Sequence, residues 1–313
     1  MGWSGSLGAS SRVGNSVTYT PDTVASGAYT VAAFTAPKKA VYQFVLQGSG
    51  GGMRVIDEEG ASCSAGGKGG LTIGYLLLEA GQTVYVGAGG VCSAAFVSRV
   101  YADTLAATGS KDNLYFVAGA GGEGGANWGQ RWNMKSGAGG EGGGNSGTSG
   151  VNAIGTGGSG ATQTSGYQYG VGHPGGGYWN ENNTSHHGGR GGDGLWGGLG
   201  GSGSSGGGGG SGYVYSTVLT VGSNTYTSST QQSGGAGSNS AGAVSVTYYA
   251  DAELPVTFNG VKLMEMFFNG SRVEHLIYNG AAVFAHTLKR YGAFLRGCLL
   301  PVGTLVKPKK VLI

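Results

Sequence analysis

The stretch that decides the fold runs from Gly119 to Gly212. It opens in AGAGGEGGANWGQ (118–130) and closes in GGLGGSGSSGGGGGSGY (197–213). Glycine accounts for 71 of 313 residues, against an average usage of about 7%, and most of the excess sits here. Such a segment has too few side chains to build an apolar core. Gly/Ser-rich chains commonly serve as flexible tethers. The alternative is that bare backbones pack directly on one another. What flanks the run chooses between the two.

On the N-terminal side, Tyr29, Val31 and Phe34 suggest a strand, Pro37-Lys38-Lys39 a turn, and Val41 to Leu46 a second strand. Leu71–Leu78 and Gln82–Val86 read as two strands around Glu79-Ala80-Gly81. Asn113 to Ala118 is a further strand that feeds straight into the glycines. After the run, Tyr213–Val221 and Ala243–Tyr249 are strands again. β-Branched and aromatic residues dominate these segments, and none shows a 3.6-residue period. The expected class is therefore all-β. The glycine segment falls between strands of one sandwich, whereas a tether separates two self-sufficient cores. Order, not flexibility, is the expectation for 119–212.

Glycine-rich chains can adopt a polyproline-II-type helix with three residues per turn. Without Cβ atoms, neighbouring helices can approach and hydrogen-bond backbone to backbone. The entropy that glycine loses on ordering must then be offset by a dense lattice of such bonds. The strict triplet of collagen is absent. The expected architecture is a jelly-roll-like β sandwich carrying an inserted bundle of polyproline-II-type helices, followed by a small β meander.

The expected boundaries follow. Residues 1–26 form a loosely tied N-terminal arm with one short run, Val17 to Thr20. Residues 27–250 form the glycine-rich sandwich domain. Residues 251–286 carry Phe258-Asn259-Gly260, Phe268-Asn269-Gly270 and Tyr278-Asn279-Gly280 at a period of ten. Asn-Gly is the strongest short hairpin signal, so a meander is expected there, too small to be stable alone. Residues 287–313 are a basic and apolar tail.

Composition excludes several function classes. Charged residues are 11%, about half the usual share, while 39% are hydrophobic and 10% aromatic. Disordered segments are charge-rich and aromatic-poor, so a folded chain is expected. The formal charge of +3 is uneven. Six basic residues (Lys289, Arg290, Arg296, Lys307, Lys309, Lys310) follow Ala285 with no acid, leaving 12 basic against 15 acidic before it. No broad basic face for nucleic acid is expected. Cys63, Cys92 and Cys298 lack the spacing of a zinc site or a disulfide framework. The start has neither a basic region nor an apolar run, so no signal peptide is expected, and no 18-residue apolar span predicts membrane insertion. Gly2 to Ser6 fits a loose myristoylation pattern, which chance explains in a Gly/Ser-rich chain.

Catalytic signals are weak. Gly-x-Gly-x-x-Gly matches follow from glycine density, and none opens a helix. Lys68 is followed by Gly69 instead of the Ser/Thr of a phosphate-binding loop. His186-His187 are adjacent and lack an acidic partner at a telling spacing. No carboxylate pair stands out for glycan cleavage. No cofactor, metal or enzymatic activity is expected.

In a glycine lattice the remaining side chains sit at surfaces and loop tips. The candidate binding residues are Trp128, Trp132, Tyr167, Tyr169, His173, Tyr178, Trp179, Asn182, His186, His187, Arg190 and Trp196. Arg131, Asn180 and Asn183 lie among them. Four of the five tryptophans fall in the run. Aromatic, Asn, His and Arg side chains on rigid loops are the composition of binding surfaces. The other reading is that the aromatics cover the glycine slab or pack on the sandwich.

The succession FTAPKKAVYQFVLQGSGGG, GGKGGLTIGYLLLEAGQTVYVGAGG, LYFVAGAGGEGG, GATQTSG, GGRGGDGLWGGLGG, GGGGGSGYV resembles the glycine-rich domain of bacteriophage tail adhesins and related virion proteins. It spans Ala28 to Tyr249. A similar domain occurs in the extracellular part of anaplastic lymphoma kinase-type receptors, a branch that the expected lack of signal peptide, membrane span and disulfide framework disfavours. The Asn-Gly repeats are similar to C-terminal repeats of phage tail proteins. The resemblance implies a polyglycine-II bundle on a jelly-roll-like sandwich, and a virion protein made in the bacterial cytoplasm. It implies a tail-fibre or receptor-binding adhesin that contacts a bacterial surface polysaccharide or protein, packs with other virion proteins and forms a homotrimer. A purely structural head-fibre, decoration or baseplate protein is the alternative, and a polysaccharide depolymerase a weaker one.

Overall fold

In the computed structural model the described residues are 2–21, 25–53, 62–128, 135–180 and 184–252, with short strands between 257 and 285. The chain divides into two units, Met1–Ala252 and Glu253–Ile313.

The first unit is built on two antiparallel sheets. One runs, edge to edge, through β1 (Gly2–Ser4), β2 (Ser16–Thr20), β17 (Ala243–Asp251), β4 (Ala40–Gln47), β6 (Leu71–Leu78) and β16 (Ser229–Gln231). The other runs through β13 (Tyr213–Val214), β9 (Leu114–Ala118), β8 (Ala95–Ser98), β7 (Thr83–Gly89) and β3 (Tyr29–Thr35). The period-2 pattern of the strands explains the sandwich. Tyr42, Phe44 and Leu46 on β4 and Val244, Val246 and Tyr248 on β17 point into one core. Phe34, Val84, Val86, Val97 and Phe116 enter the same core from the second sheet. Aromatic rings join the layers: Phe34 meets Tyr42 edge-on at 5.4 Å, and Phe44 lies 6.0 Å from Phe116. Burying each of these large side chains stabilises by about 1.5–3 kcal/mol. Gly74 on β6 leaves room for the Phe116 ring, which an added Cβ would strike.

The expected strands are present, with three differences. First, the described part of the expected loose arm, residues 1–26, carries paired strands. β2 pairs with β17 in register Val246↔Val17 and Val244↔Tyr19, and Val17 and Tyr19 are buried. The alternation in SVTYT is a half-buried strand that needed β17, over 220 residues away, to become visible. Second, β8 is a short Ala-Phe-Val-Ser segment that the sequence reading did not mark as a strand, yet it is the centre of its sheet. Third, the expected strand Tyr213–Val221 is split: β13 ends at Val214 in the five-stranded sheet, β14 (Val218–Val221) folds into a hairpin with β15 (Asn224–Thr227), and the Ser/Thr/Gln/Gly connection also holds edge strand β16.

The described residues of the glycine run are joined by backbone hydrogen bonds that step by three residues. Residues 204–212 form the central segment. Gly206 and Gly209 donate to Val151 and Thr148, Gly207 and Gly210 to Glu123 and Ala120, and Gly208 and Ser211 to Leu199 and Trp196, all at 2.8–3.1 Å. In the other direction, Gly137, Gly140 and Gly143 donate to Ser204, Gly207 and Gly210, Gly158 and Ala161 donate to Gly206 and Gly209, and Gly189, Gly192 and Leu195 donate to Ser205, Gly208 and Ser211. A chain with three residues per turn aims successive N–H groups at three different neighbours, which matches this alternation. Adjacent segments repeat it: Ala120 and Glu123 donate to Asp193 and Arg190, Gly121 and Gly124 to Ser49 and Gly52, and Gly122 and Gly125 to Gly140 and Gly137. Space requires the glycines. A Cβ added at Gly206, Gly207, Gly208, Gly209 or Gly210 would overlap the carbonyl of Ala138, Arg190, Ser159, Glu141 or Asp193 in turn.

The second unit holds three separate hairpins among its described residues, not one meander. Phe258 pairs with Val261, Phe268 with Ser271 and Tyr278 with Ala281. In sequence, each pair is separated by an Asn-Gly dipeptide that lies outside the described residues. The basic tail, 287–313, lies outside the described residues.

Candidate functional site

Four lattice segments run directly into a small four-stranded sheet. Its order is β11 (Gly177–Asn180), β12 (Thr184–His187), β10 (Ala126–Trp128) and β5 (Ser62–Cys63). β10 continues the segment 119–125, β12 continues into 188–193, β5 into 64–70, and β11 follows 171–176. At one end of this sheet the chain departs for residues 54–61, 129–134 and 181–183.

The register sorts the candidates into rows. Trp128, Ser185 and Trp179 form one cross-strand row. Ser62, Asn127, His186 and Tyr178 form the next, followed by Cys63, Ala126, His187 and Gly177. Successive rows of a pleated sheet alternate faces, and in this second row Asn127 and His186 are buried. Both carboxamide polar atoms of Asn127 are buried without a hydrogen-bond partner among the described residues. Trp132 and Asn182 lie outside the described residues, in the connections that leave this sheet.

The remaining candidates lie elsewhere. Tyr167 and His173 stack edge-on at 4.5 Å, with their N–H groups bonded to Gly197 and Gly198. Tyr169 and Trp196 pair across an isolated bridge. They pack on a second apolar cluster, Phe96, Leu105, Leu114, Val117 and Leu195, on the outer face of the five-stranded sheet. The Tyr169 hydroxyl is fixed 2.8 Å from Thr108 Oγ1. These two aromatics join the glycine slab to the sandwich.

Arg190 also turns inward. Its Nη2 lies 2.8 Å from Asp193 Oδ1, with the Asp193 side chain almost fully buried. Tyr29 donates its hydroxyl proton to Asp193 Oδ2 at 2.8 Å, and Gly172 N–H donates to Oδ1 at 2.8 Å. Arg190 N–H donates to Glu123 Oε2 at 3.0 Å. Burial pushes the Asp193 carboxyl above its usual range, against the pull of Arg190 and its hydrogen bonds. Burial, then the Asp193 charge, pushes the Tyr29 hydroxyl well up. Burial pushes the neighbouring Cys92 thiol up to about 12. The network clamps β3 to the lattice.

Of this network the sequence reading singled out Arg190 alone. A local signal for the rest exists: Gly-Gly-X triplets. Ala120/Glu123/Ala126, Ala65/Lys68/Leu71 and His187/Arg190/Asp193 each place one side chain per turn, so Arg190 and Asp193 share an edge of their segment. The triplets are short and change phase between segments, which hides them in the whole run.

Among the described residues there is no cluster of His, Cys, Asp and Glu fit to hold a metal ion, and no helix long and apolar enough to cross a membrane. The chain matches no protein-family model and no curated protein.

Proposed function

We propose that the protein is a non-enzymatic bacteriophage virion adhesin, a tail-fibre or receptor-binding protein. The glycine lattice is a stiff platform, and the sheet β11–β12–β10–β5 is the host-contacting end. The observation that carries this reading is the Trp128–Ser185–Trp179 row beside His186 and His187, mounted on four hydrogen-bonded segments. Aromatic anchors held on a preorganised backbone lose little entropy on binding. Glu123 and Asp193, the carboxylates that converge in the lattice, are engaged with Arg190, which supports a binding role over glycan hydrolysis. The virion location, a bacterial surface polysaccharide or protein as receptor, other virion proteins as partners and a homotrimeric state belong to the same proposal.

The test is a Trp128→Ala/Trp179→Ala double variant. Phage adsorption is expected to fall at least about tenfold, as for hot-spot truncation, with virion assembly and melting temperature unchanged. Unchanged adsorption would overturn the reading. A purely structural virion role is the second reading, favoured by the inward use of Tyr169, Arg190 and Trp196. Imaging of labelled virions separates the two: label on the capsid supports the structural role, label at the tail tip the adhesin.

A further inference from the structure

Away from the lattice end, one cation is held in an unusual setting. Arg99 follows β8 directly, and its N–H donates to the Asn113 carbonyl at 2.8 Å. Its guanidinium carbon lies 4.5 Å from the Tyr115 ring centroid and 4.3 Å from that of Tyr215. The two rings are 6.4 Å apart at 85° to one another. Tyr215 N–H donates to the Tyr115 carbonyl at 2.8 Å, which fixes their separation. The aromatic contacts hold the side chain, yet Arg99 forms no ion pair among the described residues. Its side chain donates no hydrogen bond there. Asp112 and Asp103 are the nearest acids in sequence. Asp103 accepts from the Tyr101 hydroxyl at 2.7 Å. Arg99 is exposed, as are Tyr101 and Tyr215, at 60% and 53%, and the Tyr101 ring stands 5.6 Å from that of Tyr85.

An arginine has five N–H donors in a planar fork that matches a carboxylate with two bonds. Aromatic contacts restrict the head group, so less freedom is lost when those donors are used. The exposed Tyr101, two residues along the chain, offers a ring on which an apolar sugar face can stack. We infer that Arg99, positioned by Tyr115 and Tyr215, is a binding site for a carboxylate group on an acidic saccharide. The site is separate from the Trp128–Trp179 row and does not depend on it.

The experiment titrates the full chain with a soluble oligosaccharide of alternating glucuronate and N-acetylglucosamine, and with its carboxyl-reduced counterpart, by calorimetry. The acidic sugar is expected to bind and the reduced one to bind at least about tenfold more weakly, the scale of a lost charge-assisted bidentate pair. Arg99→Ala is expected to abolish the difference. Arg99→Lys is expected to restore little of it, because an ammonium lacks the planar fork. Far-UV circular dichroism and melting temperature check that both variants fold. Trp128→Ala/Trp179→Ala is expected to leave this binding unchanged. Equal binding of the acidic and reduced sugars, or full binding by Arg99→Ala, overturns the proposal. Displacement of the sugar by inorganic phosphate at equal concentration overturns its assignment to carboxylate.

Discussion

The sandwich and the glycine lattice solve one problem by opposite means. In the sandwich, side chains fill the interior: Tyr42, Phe44, Phe116 and Tyr248 lie between two sheets whose backbones are paired along their strands. In the lattice the backbone itself is the interior. Gly206 to Gly210 are buried, each bonded to neighbouring segments on several sides, with no side chains between them. The first region draws its stability from apolar area. The second draws it from close packing and satisfied polar groups, each hydrogen bond contributing about 1 kcal/mol net. A side-chain core tolerates a missing methyl as a cavity. A backbone core has no slack for an added one.

The sharpest way to break that contrast is Gly207→Ala beside Phe44→Ala. Removing the buried ring costs about 3–5 kcal/mol. Adding one methyl at Gly207 drives it into the Arg190 carbonyl, and separating the segments would break bonds to Glu123 and from Gly140. Gly207→Ala is expected to lose more stability than Phe44→Ala, enough to consume most of a typical 5–15 kcal/mol. Denaturant midpoints of the two variants measure it; a milder effect for Gly207→Ala defeats the backbone-core account.

Next in size is the joint between the regions. Folded Cys92 has its thiol pKa raised to about 12, and Tyr29 is raised well above its ordinary value, in both cases chiefly by burial. A group whose folded pKa lies above its unfolded one contributes in full below the unfolded value. That contribution is lost as pH rises toward the folded one. Stability is therefore expected to hold at pH 7 and to decline from about pH 9 toward 12, with Cys92 alone accounting for about 4 kcal/mol at 1.36 kcal/mol per unit. Melting temperature against pH checks this, and Cys92→Ala is expected to flatten the decline. A profile unchanged by that substitution removes Cys92 from the cause.

The smallest effect separates two uses of the same residue. Gly81, in the turn between β6 and β7, has φ +81° with nothing within 4 Å of an added Cβ. Gly81→Ala is expected to cost only the left-handed backbone penalty of about 1–2 kcal/mol. A loss as large as that of Gly207→Ala would mean that glycine is needed for conformation, not for space, in both regions.

The sandwich was legible because its code is local. Alternation in Val41–Leu46 and Leu71–Leu78, and the turn at Glu79-Ala80-Gly81, name strands without knowledge of partners. The segments that escaped carry too little local signal: β2 reads as a strand only beside β17, and β8 is four residues long. The candidate site was legible in part. Trp128, Tyr178, Trp179, His186 and His187 come together because their strands pair, although they stand about 50 residues apart. Tyr169, Trp196 and Arg190 look alike in sequence but turn inward, because the apolar outer face of the five-stranded sheet and the Asp193 carboxylate lie where the fold brings them. Arg99 drew no attention, since a cation between two rings is a relation among β8, β9 and β13.

By itself, then, the sequence determined that the chain is all-β, that its glycines interrupt one sandwich, and that a hairpin signal recurs every ten residues after Pro255. Those follow from the period of side chains and the backbone freedom of single residues, both local quantities. Only the tertiary structure decided which aromatics share the sheet at the lattice end and which pack on the sandwich, and how the glycine segments neighbour one another. Bare backbones carry no side-chain code for their partners. A segment finds its place by hydrogen-bond direction and by the absence of a Cβ, and neither is specific until all the neighbours are present.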